Sequence, residues 1–554
     1  MSPEPPRIDR RDLQLGALLV VGGLLVQLPA LLWGFPGGKA INNALRILDG
    51  DVPYRDFWTM YAPGHFYLVA AVFKLFGTHV WVQGVVAQLF LAADAALLFI
   101  ITRRLGLERR LAMLVGVAFV GMHWGHSEVS SYETVLLFVL LALDRAICYA
   151  HGRGARALIV AGALCGIGAS FKHDVSFYFA FGIVAGLSAG WLFLSGRRPE
   201  GWVSPAGMLV RFGGGAVAAA LPMAAFLAWK AGPDAWNNLI VFPATDFSVV
   251  RGEGYPSLLL NWASVKRWAT GPFNLELISE VSRVLSRWVQ ANVPQIAFLA
   301  GVIGLARRRR TLAPGVVAVA AISLAAMPLF WAAAHVQHNT NFSSLWIFSV
   351  LLATLVWVGG RMRPLVRMGL AVLFVVATGS FLVRPARQIV LVAAAWTDHA
   401  TLDFPSVAGI RLPAQDYRTL APIVSFIRQH VPEDEPIYAG LVRHDAVVIS
   451  EQSFYYLAGR RVASRYNELH PGVVDREDVQ REIIADLDRL NVRCAVLWEF
   501  GWPRSVMEDM LAHHRRYIPG IGSTLLDEYL RREFRHVARY GEYVLVWRKN
   551  VAGP

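Results

Sequence analysis

The chain has 554 residues, of which 55% are hydrophobic and only 17% are charged. This composition excludes an ordinary soluble globular protein and predicts a polytopic α-helical membrane protein. The formal net charge is +13. The arginines nevertheless fall in short clusters between apolar segments, as in cytoplasmic loops, so the basic charge does not indicate nucleic acid as a partner.

The three cysteines predict neither a disulfide nor a metal centre. Cys148 and Cys165 lie in apolar segments and Cys494 lies far along the chain, without the spacing of a disulfide framework or a zinc site. The sequence therefore indicates no cofactor, and it leaves dependence on a divalent metal open.

The first predicted span begins after a cluster of arginines. Arg7, Arg10 and Arg11 precede an apolar run over residues 13–35. This run is too long for a secretory signal, and no small-residue cleavage site follows it. We expect an uncleaved spanning helix with the N-terminus in the cytoplasm.

An outer loop over residues 36–78 follows, with carboxylates and guanidinium groups close together and prolines that stiffen the backbone. A carboxylate can accept a proton and a guanidinium can hold a phosphate, although an ordinary polar connector has the same composition. Asp56 is the first candidate for a catalytic base and Asp51 the second, and the candidate substrate-binding groups are Arg55, Tyr54 and His65.

Ten further spans are predicted beyond this loop. Residues 65–76 are too few to cross a bilayer, so we expect them to lie along its surface. The spans are predicted at about 79–101, 110–123, 132–150, 157–171, 175–195, 208–228, 291–306, 312–334, 343–360 and 368–384, which makes about eleven transmembrane helices in all.

The distribution of arginine orients these spans. Arginine is enriched in cytoplasmic loops. The other connections, and a long loop over 229–290, are therefore predicted to face outward. Two to four arginines occur in each of the connections 103–110, 151–156, 196–211, 307–310 and 360–367, and almost none in 123–131, 172–174 and 335–342.

An odd number of spans divides the chain into a membrane domain, residues 1–384, and a soluble extracytoplasmic domain, residues 385–554. The second domain mixes helical and strand patterns, which indicates an α/β layer. Helices are predicted at 416–430 and 475–490, and strands at 436–440, 492–498 and 542–547.

Lys172, His173 and Asp174 stand together between two spans. Such groups are costly in a membrane unless they face water or one another. A polar cavity on the outer face would satisfy them as substrate-binding groups, and a simple Lys172–Asp174 ion pair would explain them equally well.

Two further outer connections carry candidate substrate-binding residues. Arg251 lies among apolar residues of the long loop, where it either binds an anionic headgroup or merely reaches the interface. His335 and His338 are three residues apart; no third ligand stands near them, so hydrogen bonding to a polar substrate is favoured over zinc.

The stretch from Ala44 reads Ala-Leu-Arg-Ile-Leu-Asp-Gly-Asp-Val-Pro-Tyr-Arg-Asp-Phe, and it precedes a Pro-Gly pair and a helix that ends in Leu-Phe-Gly at Gly77. With the predicted topology, this stretch resembles the GT-C superfamily of polyprenyl-phosphate-sugar glycosyltransferases, in particular the bacterial protein mannosyltransferases and aminoarabinose transferases. The resemblance covers the spans to about residue 384 as an architecture.

The resemblance implies transfer of a sugar from a polyprenyl phosphate to a glycan, lipid or protein acceptor at the outer face of the cell membrane. It also implies inversion at the anomeric carbon. A carboxylate base and a cationic phosphate clamp, with Arg55, Lys172 and Arg251 as candidates, would be needed. The acid that this family usually carries after the first span is missing, because this region reads Phe-Pro-Gly-Gly-Lys.

Two other classes of function remain open at this stage. A transporter or flippase also has many spans with charged groups, although the inverted repeats and broken helices common in transporters are not evident. A catalytically inactive scaffold is the third possibility. The transferase hypothesis expects Asp51, Asp56, Lys172 and Arg251 to line one cavity open to lipid.

Overall fold

The computed structural model describes residues 8–32, 38–125, 128–250, 275–308, 310–334, 338–359, 399–447 and 451–551, with isolated positions between 266 and 270 and between 379 and 393. Within these ranges, residues up to 359 are almost entirely helical. Residues from 399 onward mix helices and strands.

The helices before the long outer loop are numbered in chain order. They are α1 (Arg10–Leu32), α2 (Lys39–Leu48), α3 (Gly64–Phe76), α4 (Val80–Arg104), α5 (Arg109–Met122), α6 (Ser131–Ala150), α7 (Arg156–Ala169), α8 (His173–Phe193) and α9 (Pro205–Lys230).

Short helical turns and three long helices complete the first part of the chain. The turns are α10 (Pro233–Trp236), a π-helical turn (Asn237–Val241), α11 (Phe242–Ala244) and α12 (Asp246–Val250), and the long helices are α13 (Leu275–Arg308), α14 (Pro314–Ala334) and α15 (His338–Gly359).

Six helices in the described part of the chain are long and apolar enough to cross a membrane. They match predicted spans, and the chain is a polytopic helical membrane protein by this criterion. The predicted span at 368–384 falls outside the described residues, so the total of eleven stays a prediction. The six segments are Arg10–Leu32, Val80–Arg104, His173–Phe193, Pro205–Lys230, Arg283–Arg307 and Pro314–Ala333.

Small residues let the helices approach closely. A Cβ added at Gly162 of α7 would lie 1.9 Å from the carbonyl oxygen of Phe212 in α9, and one at Gly166 would lie 2.2 Å from that of Ala216. Backbones this close are typical of membrane helix pairs, which gain stability from van der Waals packing where lipid removes the hydrophobic driving force.

The C-terminal part is an α/β domain with a four-stranded mixed sheet. The strand order is β3 (Tyr438–Leu441), β4 (Cys494–Trp498), β6 (Tyr543–Arg548) and β5 (Phe534–Tyr540), in which β3 and β4 are parallel and the other pairs antiparallel. The predicted strands coincide with β3, β4 and β6. The elements are β1 (His399–Thr401), β2 (Arg411–Pro413), α16 (Ala414–His430), β3 (Tyr438–Leu441), α17 (Ser453–Ala458), α18 (Glu477–Arg489), β4 (Cys494–Trp498), α19 (Arg504–Tyr517), α20 (Leu525–Glu533), β5 (Phe534–Tyr540) and β6 (Tyr543–Arg548).

The first outer loop and the α/β domain share one hydrophobic core. Ile41 of α2 and Phe66 of α3 are fully buried in the same apolar cluster as Val424 of α16 and Trp547 of β6. Burial of such side chains stabilises each by about 1.5–3 kcal/mol. The first loop is therefore a packed element that fixes the α/β domain against the helices.

Candidate functional site

A cavity of about 410 Å³ opens at the end of the helices where the predicted outer connections meet. Its polar wall consists of Tyr61, Ser131, Lys172, His173 and Asp174. The rest of the lining consists of mostly apolar residues of 239–248 and 329–333. A cavity lined by both charged and apolar groups suits a molecule that has a polar head and a hydrophobic tail.

Lys172 and Asp174 carry the charge of this cavity. Lys172 is buried just before the first turn of α8, and its Nζ lies 3.0 Å from Oδ1 of Asp174. The Lys172 ammonium also lies 4.5 Å from the centre of the Tyr132 ring. An ammonium held by an aromatic face and a carboxylate is fixed in position, and the Asp174 side chain remains 25% exposed.

His173 was predicted together with these two residues, and it also lines the cavity. The polar trio therefore meets at one place as the sequence suggested. The alternative of a Lys172–Asp174 ion pair is also observed, so the pair and the cavity are parts of one arrangement.

The predicted catalytic carboxylates occupy a different place. Neither Asp51 nor Asp56 lines the cavity. Asp51 accepts a hydrogen bond from Arg46 at 2.7 Å, and Asp56 accepts one from Arg55 at 2.7 Å and another from the backbone N–H of Val52 at 2.7 Å. Asp51 and Asp56 therefore do not share this cavity with Lys172, because nearby donors in their own loop bind them, and their catalytic role stays a prediction.

The hydrogen bond from Arg55 holds the pKa of Asp56 below its ordinary value. Arg55, predicted to bind substrate, is itself engaged with Asp56 through both Nε and Nη2. The Arg55 and Asp56 side chains therefore pair with each other.

Tyr54 and His65 also depart from their predicted role. Tyr54 is completely buried, has a left-handed φ of 72°, and donates a hydrogen bond to the carbonyl of Tyr61 at 2.8 Å. His65 lies 3.0 Å from the carbonyl of Ala62, and burial lowers its pKa to about 3. Both side chains contact backbone carbonyl groups of residues 61 and 62, which line the cavity.

The remaining predicted residues cannot be placed. Arg251 and His335 lie outside the described residues, and of His338 the structure describes only the backbone at the start of α15. In the part of the chain that is described, no group of three His, Cys, Asp or Glu side chains could hold a metal ion.

A second polar cluster adjoins the cavity through Tyr61. Lys39 forms a 2.6 Å ion pair with Glu468 of the α/β domain, and its Nζ lies 4.2 Å from the centre of the Tyr61 ring. The Tyr61 ring packs edge to face against Tyr132 at 6.3 Å. The two lysines, Lys39 and Lys172, thus lie over the rings of two tyrosines that touch each other.

Glu128 completes this cluster by accepting a hydrogen bond from the backbone N–H of Ala40 at 3.0 Å. Burial raises its pKa to about 7. Burial opposes the charge of Lys39, but the nearby Glu468 carboxylate outweighs it and raises the Lys39 pKa above its ordinary value. The ammonium is therefore charged at neutral pH.

Lys39, Tyr132 and Glu468 were not singled out as site residues from the sequence. Lys39 was noted only because it stands where an acid was expected. Its isolation directly after a long apolar run was a usable signal. Glu468 sits in an ordinary polar stretch of the C-terminal domain, and nothing in the sequence connects it to Lys39.

Two solved structures resemble this chain over most of its length. ArnT from Cupriavidus metallidurans bound to undecaprenyl phosphate matches 97% of this chain and 99% of its own, with 14% identity and a TM-score of 0.47. The apo state of the same protein matches 97% and 98%, with 14% identity and a TM-score of 0.40.

No protein-family model and no curated protein matches the chain. The two solved structures are of the aminoarabinose-transferase type that the sequence resembles. Because identity is 14% and both TM-scores are below 0.5, the functional inference rests on the chain's own residues.

Proposed function

We propose that the chain is a membrane glycosyltransferase that moves a sugar from a polyprenyl-phosphate donor to an acceptor hydroxyl at the outer face of the cell membrane. The observation that carries this proposal is a single cavity lined both by the Lys172–Asp174 ion pair and by apolar residues of 239–248 and 329–333. A lipid-linked phosphate sugar has a charged phosphate that suits Lys172 and an apolar prenyl chain that suits the apolar lining.

Lys172 is the proposed phosphate-binding group. A lysine ammonium acts as a point charge on a phosphate. In a partly dry cavity it stabilises the negative charge that develops on the leaving phosphate. Its ion pair with Asp174 keeps the site neutral before the donor binds, and phosphate binding to Lys172 then releases Asp174.

Asp174 is the proposed base, because it is the carboxylate that lines the cavity. In the proposed step the acceptor oxygen attacks the anomeric carbon while its proton passes to Asp174. The bond between that carbon and the phosphate oxygen breaks, and the polyprenyl phosphate leaves with the bonding electrons. A direct displacement of this kind inverts the anomeric carbon.

The outer-face location follows from the arginine distribution. The lining of the cavity comes from the first loop, the starts of α6 and α8, the segment after α9 and the end of α14. These ends lie on the side where arginine is scarce. The membrane lipids themselves would contact the apolar wall and accommodate the prenyl tail.

The test is sugar transfer from a radiolabelled polyprenyl-phosphate sugar in membranes that contain the protein. We expect Asp174→Asn to lower transfer by about 10²–10⁴-fold, the usual contribution of a positioned base. Asp49→Asn is the matched control, since Asp49 is an exposed carboxylate of the first loop. Equal transfer by both variants would exclude Asp174 as the base.

A wild-type protein that transfers no sugar but moves labelled lipid between leaflets of a vesicle would overturn the proposal in favour of a flippase. Binding of the lipid phosphate without either activity would instead indicate an inactive scaffold. Both measurements use the same reconstituted full-length protein.

A further inference from the structure

A segment of the α/β domain, residues 464–470, lies directly against the first outer loop. Arg465 donates a hydrogen bond to the carbonyl of Tyr54 at 2.7 Å, and its own carbonyl accepts one from the N–H of Trp58 at 2.9 Å. Asn467 donates to the side-chain oxygen of Asn43 at 2.9 Å. These hydrogen bonds fix the segment to the first outer loop at Asn43, Tyr54 and Trp58.

Glu468 lies in the middle of this segment and is 3% exposed. Its Oε1 forms the 2.6 Å ion pair with Lys39, whereas its buried Oε2 has no hydrogen-bond partner among the described residues. A buried carboxylate oxygen without a partner is costly. A buried ion pair is also weak evidence for a purely stabilising role.

The local backbone is built for this approach. A Cβ at Gly38 would lie 2.9 Å from the carbonyl carbon of Gln452 in the α/β domain, closer than a side chain tolerates. Asn42 of α2, the helix that begins directly after Gly38, donates a hydrogen bond to the carbonyl of Gln452 at 2.7 Å. Gly38 therefore lets the α/β domain come close enough for Glu468 to reach Lys39.

We propose that Glu468 is a positioning residue for transfer, through which the α/β domain holds the Lys39 ammonium against Tyr61 on the polar wall of the cavity. The inference rests on the proposed transferase function. The carboxylate that forms the ion pair with Lys39 comes from the α/β domain and not from the first loop. Through this contact the α/β domain would take part in the site.

A double-mutant cycle on the full-length protein tests this. Glu468→Gln keeps the shape and removes the charge, and we expect it to lower kcat/KM for sugar transfer by about tenfold. In a Lys39→Met background the same change is expected to have less than a twofold effect, because Glu468 acts through Lys39. Equal effects in both backgrounds would overturn the inference.

The matched control is Glu482→Gln, which removes the carboxylate that accepts a 2.9 Å hydrogen bond from Tyr466 in the same segment. Simple weakening of the α/β domain would make this control lose as much activity as Glu468→Gln. We expect less than a twofold loss in kcat/KM for the control.

The same cycle is measured with undecaprenyl phosphate binding to the reconstituted protein. If the wild type transfers sugar but the cycle shows no coupling between positions 39 and 468, the role of Glu468 is excluded. The transferase proposal then remains intact. Absence of both transfer and binding in the wild type removes the transferase proposal, and the inference with it.

Discussion

The ammonium of Lys172 lies 4.5 Å from the centre of the Tyr132 ring and 3.0 Å from the carboxylate of Asp174. The ring and the carboxylate come from the starts of two different helices, α6 and α8. A cation–π contact contributes more when the pair is removed from water. Tyr132 therefore orients Lys172 without neutralising it, so that the charge remains available to a phosphate.

Replacing Tyr132 tests this arrangement. Tyr132→Leu removes the aromatic face, and we expect transfer to fall about 2–30-fold, corresponding to about 0.5–2 kcal/mol for a cation–π contact. Tyr132→Phe keeps the face and should retain most of the activity. The measurement is kcat/KM for the donor, and equal losses in the two variants would show that the ring does not act through its π system.

Asp56 provides the second prediction, because its carboxylate is bound by Arg55 and Val52. Asp56→Asn should lower the melting temperature only slightly, since the loop loses a charged acceptor of hydrogen bonds but the Arg55–Asp56 pair is largely exposed to solvent. Transfer per folded molecule should fall less than about threefold, in contrast to the loss of a base. Complete loss of transfer with normal folding would restore Asp56 as the base.

Much of the architecture could be read from the sequence because six of the spans are long apolar runs. Lys172, His173 and Asp174 could also be found, since three polar groups between two spans have few structural explanations. Their meeting with Tyr61 in one cavity agrees with that interpretation.

The proposed base, Asp174, could not be chosen from the sequence. Asp51 and Asp56 have the composition of a catalytic loop, but their local hydrogen bonds to Arg46 and Arg55 are invisible without coordinates. Glu468 shows the converse case. Its pairing with Lys39 depends on how the α/β domain packs on the first loop, a long-range contact that no local pattern specifies.

Glu128 predicts a pH dependence of stability. Burial raises the pKa of Glu128 in the folded protein to about 7 from its ordinary value of 4.5, so the folded protein holds a proton that the unfolded chain releases between these two pH values. Stability should therefore fall as pH rises from about 4.5 to 7. Glu128→Gln should flatten that part of the curve.

The measurement is the melting temperature of wild type and Glu128→Gln between pH 4.5 and 8. The difference between the two proteins carries the effect of Glu128, since other groups titrate in both. A difference that does not change with pH would mean that Glu128 titrates alike in the folded and unfolded chains.

The last prediction concerns His470, whose ring packs against aromatic rings next to the cavity. It lies 5.6 Å from the ring of Trp58, 5.4 Å from Phe242 and 5.5 Å from Phe247, and Phe247 lines the cavity. His470→Ala would leave a space among three aromatic rings, and large-to-small changes in a core cost about 2–5 kcal/mol. We expect a lower melting temperature and a Phe247 ring that is free to move into the space.

A change in the apolar lining should weaken donor binding more than it slows the chemical step, because Phe247 lines the cavity but is not one of its charged groups. We therefore expect His470→Ala to raise KM for the donor several-fold while kcat changes less. His470→Phe refills the space and should restore KM. If His470→Ala lowers kcat alone, His470 affects the reacting groups and not the apolar wall.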